Sequence, residues 1–570
     1  MRGMSTADAS SLQVGLLALL AGSSWACAPQ PTVTPDSPRR AAVSETGPAS
    51  GAVTHAAEVS VSTYRNPVLP GTNPDPTVCR VGQDYYLATS SFEYFPGVPL
   101  YHSRDLVHWR QIGHVLTRET QLNLAGVKSS MGIFAPTLRY HDGTFYMVTT
   151  NMDGGGSFYV TATDPAGPWS DPIWVRESVF TMDPSLLFDD DGKVYYTRHG
   201  DKRHGAIYQA EIDIATGQLS AEPKKIWEGT GGIWPEGPHL YKVHGTYYLM
   251  ISEGGTSYEH MVTVARSSSP WGPFEVNPNN PILTHVNLPE HPIQATGHGD
   301  LVDTPDGNWW MVLLGIRPST PRRHHIGRET FLTPVAWSKA GWPVVNEGRP
   351  IELEMSGAGL PPAHRWPERP ARNDFDDQQL GLEWNFVRNP ERENYTLTER
   401  AGYLRLKGIK ASIRDVASPT LVLLRQRHHR VTFSAELEME PKVGQRAGLV
   451  VRGNEDNHFT LLVEGTRVAG MPPRSVVLTT RIAGRSVEVG RQPLLAGPVV
   501  LTIEAYPDRY DFFFAQGGAA RQPLGSGPTT PFSYEETQSF TGAFVGMYAQ
   551  SDQPNAPAIA DFAWFEEDPH

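Results

Sequence analysis

GQDYYLAT at 82–89, DGTFYMVT at 142–149, DGKVYYTR at 191–198, HGTYYLMI at 244–251 and DGNWWMVL at 306–313 are five versions of one unit, a turn followed by a short aromatic strand. Recurrence every 50 to 60 residues or so, roughly the length of one small sheet, is the signature of propeller blades. Ten to twelve residues upstream of each aromatic pair stand Asp75, Ala135, Asp183, Glu236 and His298. In equivalent blades those positions open the innermost strands and converge near the central axis. Three carboxylates and a histidine then share one pocket, although more than 160 residues separate Asp75 from Glu236. That is the geometry of an acid/base hydrolase.

Weaker echoes extend the repeat. SRDLVHW at 103–109, DPAGPW at 164–169 and SPWGPF at 269–274 each follow an aromatic strand by some 20 residues, as turns between a blade's third and fourth strands, with Trp packed between blades. A five-bladed β-propeller is therefore expected over 63–355. Pro361, Pro362, Pro367 and Pro370 mark 356–372 as a connector and a domain boundary. Beyond it, 373–570 alternates apolar and polar residues in short runs: TLVLLRQ at 420, HRVTFSAELEME at 429, RAGLVVRG at 446, HFTLLVEG at 458 and VVLTIEAY at 499. Strands at this spacing with turns between them predict a β-sandwich.

Composition agrees with an all-β protein of two domains. The 570 residues exceed one core, 39% apolar content suffices for globular domains, and 54 Gly and 49 Pro favour many turns over long helices. A formal charge of −13 argues against nucleic acid as a partner, since phosphate binding needs clustered Lys and Arg; neutral sugars fit. Cys27 and Cys79 are the only cysteines, which excludes a disulfide framework and a thiolate metal site.

At the start, LQVGLLALLA at 12–21 follows Arg2 and leads through small residues to Ala26 and Cys27. It reads as a secretory signal over 1–26 and is too short to span a membrane. Cys27, Ala28, Pro29 and the Pro/Ser/Thr-rich linker over 27–62 point to an exported lipoprotein, periplasmic or on the cell surface, tethered by lipid at Cys27. The alternative is ordinary cleavage after Ala26 and a secreted protein. That anchor is the only tie to a membrane.

Glycosidic cleavage needs a proton donor to the leaving oxygen and a second carboxylate that activates water or attacks the anomeric carbon. Glu236 in IWPEGPHLYK is flanked by Trp234 and Pro235, so desolvation raises its pKa and suits it to be the general acid. Asp75 in NPDPTV, with Pro on each side, is the candidate general base. Asp183 in TMDPSLLFDDDGK adds a negative charge that raises the acid's pKa and orients it. Asp-Pro alone is a common turn dipeptide; recurrence of an acid at one blade phase sets these three apart.

NPVLPGTNPDPTVCRVGQDYYLATSSFEYFPGVPLYHSRDLVHW at 66, MGIFAPTLRYHDGTFYMV at 131, MDPSLLFDDDGKVYY at 182, WPEGPHLYKVHGTYYLMISEGG at 234, GHGD at 297 and GRETFL at 327 together resemble glycoside hydrolase family 43, in its β-xylosidase and α-L-arabinofuranosidase branch. NDFDDQQLGLEWNFVRNP at 373 and FTGAFVGMYAQ at 540 are similar to that branch's concanavalin-like β-sandwich. The resemblance implies an inverting hydrolysis with Asp75 as base, Asp183 as pKa modulator and Glu236 as acid. It implies that Phe92 is an aromatic wall of the sugar pocket and Thr256 a polar contact nearby. His298 would line the pocket floor or hold an axial structural calcium through water; no cofactor is required. Arg328 and Arg317 both follow the fifth blade's second strand and should approach the active face, Arg328 as the contact to sugar and base. Phe134 stands where many relatives have Trp, so the shape of the pocket differs there. Phe540 would be inserted over the pocket from the second domain.

The implied activity is exo-acting release of terminal β-D-xylose or α-L-arabinofuranose from plant-polysaccharide oligosaccharides. Rival readings are an endo-arabinanase or exo-galactanase, which differ in an open cleft or another pocket, and a non-catalytic cell-surface sugar-binding propeller, against which the three carboxylates speak.

Overall fold

The computed structural model describes residues 62–177, 181–200, 205–466 and 472–570. The leader, Cys27 and the linker up to 61 lie outside the described residues.

Five antiparallel sheets follow one another. The first runs Thr77–Val81, Asp84–Ala88, Gly97–Ser103, Arg110–Leu116 and the second Thr137–His141, Thr144–Asn151, Gly156–Ala162, Ile173–Trp174. The third opens with Met182–Phe188, Val194–His199 and Ile207–Asp213, the fourth with Glu236–Val243, Thr246–Glu253 and Met261–Ser267, each finished by short outer pieces. Gln294–Asp303, Trp309–Ile316, Glu329–Trp337 and Pro343–Val345 form the fifth. Every aromatic unit quoted above thus supplies the second strand of its sheet. The first strands touch in a closed ring, 77–81 against 137–141, then 182–188, 236–243 and 294–303, which returns to 77–81. This is the propeller that the repeats predict.

Apolar residues between neighbouring sheets hold the ring. Leu100 and Val115 of the first sheet share a core with Phe145 and Trp169 of the second, and Trp271 meets Tyr195 of the third edge-on at 5.7 Å. These are the between-blade tryptophans of the turn echoes. Cys79 is buried there as a free thiol.

Residues 372–569 form two packed sheets, a β-sandwich. Val431–Glu438 shows why: Val431, Phe433, Ala435 and Leu437 are buried while the four residues that alternate with them are half-exposed, the period-2 pattern of a strand with one face on a core. The opposing sheet contributes Leu449, Leu461 and Met547 to the same core.

Propeller and sandwich are joined by backbone pairing and packing. Phe386–Val387 pairs antiparallel with Tyr94–Phe95, and the Tyr94 ring stacks on Phe544 at 4.0 Å. The Pro-rich connector also packs against the first sheet: Trp366 donates its indole N–H to the His108 carbonyl at 3.1 Å, and the Arg110 guanidinium covers its ring at 3.9 Å.

Candidate active site

The inner strands of the third, fourth and fifth sheets share an irregularity at their first residues. Register shifts occur between Met182 and Ser185, between Glu236 and His239, and on both sides of Gly297. Such bulges re-aim side chains that a regular pleat would send into the sheet faces. Asp183 and His298 accordingly sit in the left-handed region, at φ of 53° and 45°, as does Asp75 at 55° just before the first sheet. In the fourth sheet the left-handed residue is Gly237, one place beyond Glu236, and a Cβ there would lie 2.9 Å from His298 Nε2. Glycine lets the ring of one sheet rest against the backbone of the next. Phe92 (φ 49°) and Trp234 (φ 51°) add further non-glycine strain around the same spot, a concentration typical of functional sites.

Asp75, Asp183, Glu236 and His298 are brought together. Asp75 is buried and receives Arg328 Nη1 at 2.9 Å on Oδ1 and the Ser90 hydroxyl at 2.6 Å on Oδ2, with His298 Nδ1 3.7 Å away. Burial alone would raise its pKa, but Arg328, His298 and Ser90 together outweigh it and hold the carboxyl below its ordinary range. Asp183 accepts the Gly237 N–H at 3.2 Å. It is pushed up to about 6 by burial, opposed by His298, with the neighbouring charge of Asp75 adding to the rise. Glu236 is raised well above the usual carboxylate range by burial first and then by Asp183 and Asp75. The pocket thus favours the ionised form of one carboxyl and the protonated form of another, which separates base from acid in a single pocket.

Aromatic rings wall this group. Phe92 and Phe134 meet edge to face at 5.5 Å, and Phe540, from the sandwich, lies 5.9 Å from Phe92 and 5.8 Å from Phe134. The Arg328 guanidinium sits 5.7 Å from both Phe92 and Phe540. Thr256 lines an adjoining cavity of about 230 Å³ with His260, Arg328, Tyr534 and Glu535, so this space too is walled by both domains.

One expected contact falls elsewhere. Arg317 is not directed at the carboxylate group: its guanidinium makes two bonds of 2.7 Å to the fully buried Glu329, and buried ionic pairing takes precedence over approach to the pocket. His298 lies with the carboxylates, where a residue of the pocket floor is expected. Its ring lies between Asp75 and Gly237, and among the described residues no group of three or more His, Cys, Asp or Glu could hold a metal ion.

Sequence reading missed several neighbours. Ser90, two residues before Phe92, bonds the Asp75 carboxylate. His260 places Nε2 3.5 Å from Glu236 Oε1; burial and the nearby His298 and Arg328 push its pKa down to about 3, so it is neutral beside the acid. Tyr534 stacks on Phe540 at 6.2 Å from the sandwich side. Ser90 lies two residues before Phe92 and His260 four after Thr256, and their polarity beside a pocket residue was the available signal.

A ring of sheets that gathers two carboxyl groups with opposite pKa shifts beneath aromatic walls is the arrangement of a glycoside hydrolase. The description "Glycosyl hydrolases family 43" matches residues 64–343, and "Beta xylosidase C-terminal Concanavalin A-like domain" matches 372–567. A non-reducing-end α-L-arabinofuranosidase of Bacteroides ovatus is 45% identical over 513 residues, 88% of this chain and 94% of that protein. A xylosidase/arabinosidase of Butyrivibrio fibrisolvens is 38% identical over 88% of this chain and 98% of its own. Among solved structures, a xylan β-1,4-xylosidase from Bacillus halodurans superposes with a TM-score of 0.83 at 37% identity, covering 89% of this chain and all of that one. The chain belongs to glycoside hydrolase family 43.

Proposed function

We propose that this enzyme releases single pentoses, α-L-arabinofuranose or β-D-xylose, from the non-reducing ends of plant-polysaccharide oligosaccharides, with inversion at the anomeric carbon. In this reading Asp75 is the base: ionised beside Arg328, it takes a proton from a water molecule whose oxygen bonds to the anomeric carbon. Glu236 is the acid and gives its proton to the glycosidic oxygen as that bond breaks. Asp183 keeps the acid protonated through its charge and, through the Gly237 N–H, ties the acid's strand to its own. Arg328 holds the base and faces the sugar, and Phe92, Phe134 and Phe540 enclose it.

The observation that carries the exo reading is the position of Phe540. A ring from the second domain beside Phe92 and Arg328 gives the pocket an end wall, which suits one terminal sugar and opposes a chain passing through. The pentose assignment draws on the activities for which the relatives above are named. Parallel assays on 4-nitrophenyl α-L-arabinofuranoside and 4-nitrophenyl β-D-xyloside test it; hydrolysis of neither, with a folded protein, would overturn it in favour of another glycoside or of sugar binding without catalysis.

A further inference from the structure

One short segment touches all three phenylalanines of the pocket. Phe134 belongs to it; Ile133 exchanges backbone bonds with Phe92 at 2.9 and 3.1 Å; and Ser130 Oγ accepts the Phe540 N–H at 2.8 Å while pairing with Ser539 Oγ at 2.9 Å. The segment is held in turn by a buried ion pair that crosses the domains. Glu93, next to Phe92 and fully buried, accepts the Ser130 N–H at 2.9 Å and Arg452 Nη1 of the sandwich at 3.3 Å. Arg452, 1% exposed, also donates to Ser129 Oγ at 2.9 Å and to the Tyr94 hydroxyl at 2.9 Å, and shares Glu455 with Arg388.

A carboxylate and a guanidinium removed from water are poor sources of net stability compared with well-packed apolar residues, but once present they enforce one geometry. Here that geometry fixes Ser130. We propose that Ser130, set by the Glu93–Arg452 pair, is a positioning residue that seats Phe540 over the sugar, so that docking of the sandwich and closure of the pocket are one event. Neither Ser130 nor Glu93 reaches the carboxylate group; both act through the rings. The inference rests on the exo reading above for its kinetic consequence, and on geometry alone for its structural one.

Ser130 adopts φ of 65°, so Ser130→Gly removes the hydroxyl and relieves the backbone strain that Ser130→Ala would keep. In Ser130→Gly, hydrogen exchange of the peptide containing the Phe540 amide should quicken while the rest of the sandwich keeps its protection. With aryl pentosides, KM should rise about fivefold or more at nearly constant kcat, the size of one lost hydrogen bond. Ser130→Gly combined with Phe540→Ala should be no worse than Phe540→Ala alone, because the hydroxyl acts only through that residue. Glu93→Gln should loosen the same peptide, and where it does not fold, Ser130→Gly carries the test. Unchanged exchange at Phe540, or additive losses in the double variant, would overturn the inference. A wild-type enzyme inactive on both pentosides would sink the exo-pentosidase reading instead, and the exchange measurement would still decide the role of Ser130.

Discussion

Arg328 reaches Asp75 across 253 residues of sequence and places Nη1 2.9 Å from Oδ1, where against the upward push of burial it is the largest of the contacts that hold the carboxyl's pKa down. The base is therefore only as acidic as its partner makes it. Replacing Arg328 by Met should raise the Asp75 pKa and move the acidic limb of the kcat/KM profile to higher pH, since the base works deprotonated. Activity at neutral pH should fall about 10- to 100-fold, the worth of a charged hydrogen bond. A pH–rate profile with an unmoved acidic limb would separate Arg328 from the base.

Asp183 predicts the opposite limb. Burial first, and then its charge and that of Asp75, raises Glu236, and the acid works protonated, so activity is lost as pH rises through the Glu236 pKa. Asp183→Asn removes that charge, lowers the Glu236 pKa and should shift the basic limb to lower pH. A basic limb that stays in place would reduce Asp183 to a structural acceptor of the Gly237 N–H.

Glu236→Gln should lower turnover by about 100-fold or more on unactivated oligosaccharides, the usual contribution of a general acid. With a good leaving group such as dinitrophenolate, which departs without a proton, the loss should be far smaller. Equal losses on both substrates would move the acid role to another residue.

Phe540→Ala should raise KM for aryl pentosides by about tenfold, the order of one ring's contact with a sugar. Its side chain is half-exposed and outside the sandwich core, so the melting temperature should change by about 2 °C or less. A large drop in melting temperature with normal kinetics would make Phe540 a support and not a wall.

The parts of this architecture that repeat are the parts legible in the sequence. Tyr85, Phe145, Tyr195, Tyr247 and Trp309 mark second strands because an aromatic after a turn recurs at a fixed phase, and the same phase locates Asp75, Asp183 and His298. Glu236 stands at the same distance before its aromatic pair as His298, although the left-handed residue of its strand is Gly237. Residues whose role arises from one long-range meeting carry no such phase. Ser90, Ser130, His260 and Tyr534 are polar residues in loops or at element ends, and nothing periodic distinguishes them from solvated neighbours. Arg317 failed for a related reason. It lies just beyond the strand Trp309–Ile316 as Arg328 lies just before Glu329–Trp337, yet the buried carboxylate of Glu329 claims it.

The stereochemistry of the first product tests the central claim most directly. With Asp75 activating water on the face opposite the leaving oxygen, proton NMR of the earliest turnover of a β-xyloside should show α-xylose before mutarotation, and of an α-arabinofuranoside, β-arabinofuranose. First-formed sugar of retained configuration would contradict the account, because it would make a carboxylate of this pocket a nucleophile and not a base.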